Sequence, residues 1–122
     1  MAQQEFIPYE QALELKELGF DEPCFGWFTN SYLRIGGVVE NKHVQGEDET
    51  LAPLYQQAFR WFREKHNLLH TIEEVWEEDT EYYVGEITTH NRVDAITQEC
   101  TYEEAELACL KKLIELVKPQ TI

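Results

Sequence analysis

The chain has 122 residues, 43% of them hydrophobic and 12% aromatic, a composition that suits one folded domain with its own core and excludes a disordered chain. It carries 24 Asp and Glu against 10 Lys and Arg, a net charge of −14, which disfavours direct binding of bare nucleic acid and favours a basic partner. No apolar run reaches the roughly 18 residues of a membrane span, and the opening MAQQEFIPYE lacks the basic and apolar regions of a secretory signal.

In chain order, residues 8–18 read as a helix. Pro8 suits its first position, Gly19 suits a left-handed cap beyond its end, and Phe20 is placed to fold back on the last turn. Residues 24–28 and 32–39 read as strands around a Thr29-Asn30-Ser31 turn, with Gly36-Gly37 marking a bulge or bend. Residues 40–50, ENKHVQGEDET, are polar without periodicity and read as a loop. Residues 53–66 read as a second helix, with Pro53 in the first turn. Leu54, Tyr55, Ala58, Phe59, Trp61 and Phe62 fill one arc of that helix, and Gln56, Gln57, Arg60, Arg63 and Glu64 fill the other.

Residues 69–76 and 82–89 read as strands joined by the acidic turn EEDTE, and 93–99 as a short edge strand. Residues 101–118 close the chain as a helix. Thr101 and Glu104 have capping-box spacing, acids crowd the start, and Lys111, Lys112 and Lys118 follow toward the end. Leu107, Leu110, Leu113, Ile114 and Val117 form its apolar face, broadened by Cys109 and Leu116. The expectation is a single α+β domain over 1–122, ordered α-β-β-α-β-β-α, with helices packed on an antiparallel sheet.

Catalytic motifs are absent from this reading. His66 and His70 are four apart, but no Glu follows His66 and the pair straddles a helix end, so scattered polar histidines are preferred to a metal site. Ser31 is the only serine and lies in a turn without G-x-S-x-G. Gly36-Gly37 lacks the spacing of a phosphate loop. Cys24, Cys100 and Cys109 form no C-x-x-C pair and leave an odd thiol, which points to a reducing, cytoplasmic setting. No catalytic residue, metal or cofactor is expected.

The charge is uneven. Residues 51–70 carry Arg60, Arg63 and Lys65 against Glu64 alone, inside an otherwise acidic chain. Carboxylates gather at Glu73, Glu74, Glu77, Glu78, Asp79, Glu81 and Glu86, and again at Glu47, Asp48 and Glu49. A solvated, charged hairpin tip is the plain reading. The functional reading is an acidic surface that imitates nucleic acid, since alternate strand residues lie about 6.6 Å apart, close to phosphate spacing. Arg60 and Arg63 offer a second surface able to clamp an anion, or else pair with nearby acids.

The segments FIPYEQALELKELGFDEPCFGWF, LAPLYQQAFRWFREKHNLLHTIEE and TYEEAELACLKKLIELVK resemble a three-block pattern found in small accessory proteins of phages and prophages. The chain is also similar to anti-CRISPR proteins that act on type VI RNA-guided, RNA-cleaving effectors. The resemblance implies phage origin and a host-facing role; joined to the missing catalytic motifs, the charge of −14 and the unpaired cysteines, it leads to the expectation of a non-enzymatic protein acting in the host cytoplasm. It would bind an RNA-guided nuclease, or another nucleic-acid-processing protein, or block guide-RNA loading. The loop 40–50 and hairpin 73–86 are least like the shared blocks and are where specificity is expected. Two alternatives stand beside this reading: a self-associating phage assembly protein, and a nucleotide-signal trap lined by Arg60, Arg63, Trp27, Trp61 and Trp76. The three tryptophans are expected to be mostly core.

Overall fold

The computed structural model describes residues 2–90 and 92–119. Among them, three α-helices and two three-stranded antiparallel sheets make an α+β architecture. The chain divides into two compact units, Met1–Ala58 and Phe59–Ile122.

In the first unit, helix α1 spans Tyr9–Glu17 and Pro8 stands just before it as the N-cap. Gly19 has φ +99°. Its N–H donates to Lys16 O at 3.1 Å, and the Phe20 N–H reaches back to Leu15 O at 3.0 Å, the pair of bonds that closes a Schellman motif. Phe20 is buried by this reversal. Strand β1 (Cys24–Thr29) lies between β2 (Tyr32–Val39) and β3 (Glu49–Ala52). Asn30 turns the β1–β2 hairpin with φ 55°. The pairing slips from Gly26↔Ile35 to Cys24↔Val39, so Gly36, Gly37 and Val38 face Phe25 alone: the expected bulge is there.

The sequence reading contained neither β3 nor a second sheet, and several of its element boundaries lie a residue or two away from those observed. Residues 49 and 50, read as loop, are in β3, because a four-residue strand without its own alternation takes its conformation from the β1 ladder (Trp27↔Leu51, Thr29↔Glu49). Helix α2 spans Tyr55–His66 rather than starting at Pro53. The Ile7 N–H donates to Pro53 O at 3.0 Å and Phe6 bridges Leu54, which holds 53–54 extended. The apolar arc of α2 is as expected: Tyr55, Ala58, Phe59, Trp61 and Phe62 are buried, while Gln56, Arg60, Arg63 and Glu64 are exposed.

The second unit holds β4 (Leu69–Glu77), β5 (Thr80–Thr89), β6 (Arg92–Glu99) and α3 (Tyr102–Val117), with β5 central. The β4–β5 ladder is unbroken from Leu69↔Thr88 to Glu77↔Thr80, so the turn is only Glu78-Asp79, with Glu78 at φ 54°. Strands pair further toward the tip than the acidic sequence suggested. The β5–β6 ladder slips between Ile87 and Thr88, where Asp94 accepts from the Thr89 hydroxyl and pairs with Arg92 at 2.9 Å.

Helix α3 begins at the Thr101 N-cap, whose Oγ1 accepts from the Glu104 N–H at 3.1 Å while its hydroxyl donates to Glu104 Oε1 at 2.9 Å. Its buried face is Ala105, Cys109, Leu110, Leu113 and Ile114. Leu116 is 42% exposed and Leu107 and Val117 are half-buried, so the face is turned toward Ala105 and Cys109 from the arc expected. The small residues are what let it approach the sheet. A Cβ on Gly85 would overlap the Cys109 sulfur and lie 2.7 Å from Thr97 Oγ1. Gly85 therefore faces α3, and by the alternation of strands so do Tyr83 and Ile87 on β5, His70, Ile72, Glu74 and Trp76 on β4, and Thr97 and Glu99 on β6. Burial pushes the Cys109 thiol up, as suits a packing residue.

His70 stacks on Phe59 with ring centroids 3.7 Å apart, and His66 lies edge-on to Trp61. His66 Nε2 is buried without a hydrogen-bond partner among the described residues. Burial holds both imidazoles below their ordinary value, and Arg63 adds to this for His70. These are neutral packing histidines.

Two outcomes follow from this packing. Gly85→Ala should cost about 2–3 kcal/mol by overpacking, read as urea unfolding, and Cys109→Ala in the same chain should recover part of the loss because the two sites share one contact. With folded-state values depressed at His66 and His70, the unfolded chain binds more protons below about pH 6.5. The contribution is thus complete above that value and is lost as pH falls toward the folded values. Unfolding midpoints should drop from about pH 7.5 to about pH 6, above the carboxylate range, and His66→Gln with His70→Phe should flatten the drop.

Candidate interaction surface

The pleat of the β4–β5 hairpin sorts its acids. Glu73, Glu77 and Glu86 lie on the face away from α3, Glu74 and Glu81 on the α3 side, and Glu78 and Asp79 at the tip. On the face away from α3, Glu77, Glu78, Thr80, Tyr82 and Gln98 line a shallow open hollow. Burial, and then the Glu77 carboxylate, raise the Tyr82 phenol above its usual range.

The α3 side has more structure. Helix α3 starts over Tyr83: the Tyr83 and Tyr102 rings meet edge-on with centroids 6.0 Å apart. The next pair toward the tip, Trp76↔Glu81, lies beyond the helix end, and Trp76 is 65% exposed. The Trp76 Nε1–H donates to Glu74 Oε1 at 2.6 Å and the Tyr83 hydroxyl donates to Glu81 Oε1 at 2.9 Å. Glu99 pairs across from Tyr83 on β6, and Glu103 is in the first turn of α3. The result is an apron of three aromatic rings set among carboxylates.

Burial, hydrogen bonding and neighbouring charge act together on the titratable groups of this apron. The Tyr83 phenol is raised first by its hydrogen bond to Glu81, then by burial and by the charges of Glu81, Glu74 and Glu103. Burial leads for Tyr102, with Glu106, Cys109 and Glu103 adding to it. Glu106 is itself raised by burial and then by Glu103. Among the described residues no ion pair includes Glu74, Glu81, Glu99 or Glu103. A positive group arriving here would meet uncompensated carboxylates and exposed ring faces together, the combination that binds guanidinium and ammonium groups.

The remaining candidates are placed elsewhere. Glu47, Asp48 and Glu49 belong to the first unit. The Asp48 carbonyl accepts from the Asn30 N–H at 2.6 Å, Glu49 Oε1 accepts from the Gly46 N–H at 3.1 Å, and the Glu49 carbonyl accepts from Lys16 Nζ at 3.1 Å. Two of the three therefore help fix the loop leading into β3. Arg60 and Arg63 are exposed on α2 and belong to the second unit. Cys24 is buried, its thiol pushed up to about 12 by burial and then by Glu22, which suits packing and not nucleophilic chemistry. Among the described residues no three His, Cys, Asp or Glu side chains gather as a metal site, and no helix is long and apolar enough to cross a membrane.

Of the tryptophans expected in the core, Trp61 is 4% exposed and Trp27 is half-buried, but Trp76 is not core. Sequence reasoning missed Trp76, Tyr83 and Tyr102 as surface residues. The signal was present in the period of two, which places Trp76 beside Glu74 and next to the acidic turn.

No protein-family model matches the chain, and neither a curated protein nor a solved structure matches it.

The geometry predicts a quenching signature. With each ion scaled to its quenching of a free neutral indole, caesium should quench tryptophan emission more strongly than iodide does, because Trp76 is the exposed indole and Glu74 lies against it. Trp76→Phe should abolish that preference. Equal scaled quenching by the two ions in the unmodified chain would contradict the placement.

Proposed function

We propose that the chain is a non-catalytic binding module that captures a basic protein surface with the distal half of its β4–β5 hairpin. The observation that carries this reading is the exposed Trp76, with Tyr83 and Tyr102, interleaved with carboxylates that no cation of the chain neutralises among the described residues. Interface hot spots are enriched in such rings, and the surrounding acids supply steering and selectivity for positive charge. The net charge of −14 extends the field that draws a basic partner in.

Basic channels that hold nucleic acid are a class of surface such a module fits. Together with the resemblance to phage accessory proteins, this supports an antagonist of a host nucleic-acid-processing complex. An RNA-guided, RNA-cleaving nuclease is the first candidate, its guide-RNA channel occupied or its loading blocked. The module would act in the host cytoplasm.

The test is capture of a purified effector of that type with and without its guide RNA. Guide RNA should compete with the module, and raising salt from about 50 to about 200 mM should weaken capture. Reversing charge at Glu74, Glu81, Glu99 and Glu103 together should weaken it at least about tenfold, near 1.4 kcal/mol. Undiminished capture by a charge-reversed chain with an unchanged circular dichroism spectrum would refute the acidic-surface reading.

A further inference from the structure

Strand β4 is an edge of its sheet: β5 occupies one side, and no described backbone group bonds to the other. Its nine residues pair with β5 without a bulge, so the outer side offers a regular row in which every second residue directs its N–H and C=O outward. Proteins commonly blunt such edges with bulges, prolines or charges. Here the bulges lie elsewhere, between Cys24 and Gly26 and between Ile87 and Thr88. The β4 edge has no proline, and its charged residues are all acids of its distal part, Glu73, Glu74 and Glu77, with Glu78 and Asp79 at its end. Like charges on both partners oppose pairing with a second copy, while an edge so charged remains open to a strand of opposite sign.

We infer that β4 accepts an additional strand: an extended, arginine-bearing segment of the partner, paired along Leu69–Glu77. This rests on the reading of a basic partner and gives its conformation. Side chains of an added strand alternate between faces at the same period as β4. On the face away from α3 they would meet Glu73 and Glu77, with Val75 between them. On the α3 side they would meet Glu74 and the open ring of Trp76, where a guanidinium can both stack and pair. Main-chain bonds supply affinity without regard to sequence, and the acids select for positive charge.

The probe is a nine-residue, end-blocked peptide of alternating Arg and Thr, with two derivatives N-methylated at all Arg amides or at all Thr amides. All three carry the same charge, and each derivative blocks the amides of only one side of the strand. Titrated into the isotopically labelled full chain, the unmodified peptide should bind and slow hydrogen exchange at alternate β4 amides. One methylated derivative should bind at least tenfold more weakly and the other comparably to the parent. Binding that falls in both derivatives or in neither overturns strand addition. If all three bind equally and charge reversal at Glu74, Glu81, Glu99 and Glu103 still weakens them, the basic-partner reading stands without the strand. If none binds, both fall.

Discussion

The second unit depends on one close approach, that of α3 to the sheet at Gly85. A hydrogen in place of a side chain leaves the space over the strand to the Cys109 sulfur and the Thr97 hydroxyl. Interiors are packed to crystal-like density, so a contact of this kind fixes both the height and the position of the helix along β5. With Cys109 over residue 85, the start of α3 falls over Tyr83, and the sheet continues past it. Trp76 is exposed for that reason: it is one cross-strand pair beyond the end of its cover.

That geometry also decides which acids can act together. The hairpin carries a run of carboxylates in sequence, but its two faces separate them. The α3 side collects Glu74, Glu81, Glu99 and Glu103 around the tyrosines, and the first-turn acids of α3 are themselves favoured by the helix dipole. Burial leads the rise of the Tyr102 phenol and the Glu106 carboxyl, and the hydrogen bond to Glu81 leads that of Tyr83; neighbouring carboxylates add a smaller repulsion to all three. An arriving cation relieves that repulsion, and so the surface is better suited to a basic partner than its acid count alone conveys.

Much of this was legible in the residues. The Gly19 cap, the buried arc of α2, the Asn30 turn, the bulge at Gly36-Gly37 and the Thr101 cap each follow from local chemistry, because a positive φ, a 3.6-residue period or a hydroxyl at an N-cap acts over a few residues. What was not legible depends on distant partners. Strand β3 takes its form from β1, and the start of α2 is set by Phe6 and Ile7 pairing with Pro53 and Leu54. Tryptophan at strand spacing reads as core, and only the position of α3 along β5 reveals that Trp76 is uncovered. The acids of the hairpin were visible as a run, but their division between faces required the register.

The central claim, that the aromatic and acidic end of β4–β5 is the surface that meets positive charge, is tested most directly by nuclear Overhauser contacts to the Trp76 indole in the presence of an arginine-bearing peptide. The account predicts contacts from the Trp76 ring to arginine side-chain methylenes, with shift changes concentrated in residues 69–86 and 99–106. Shift changes confined to residues 2–58 or to the Arg60 and Arg63 side of α2, with no contact to Trp76, would contradict it.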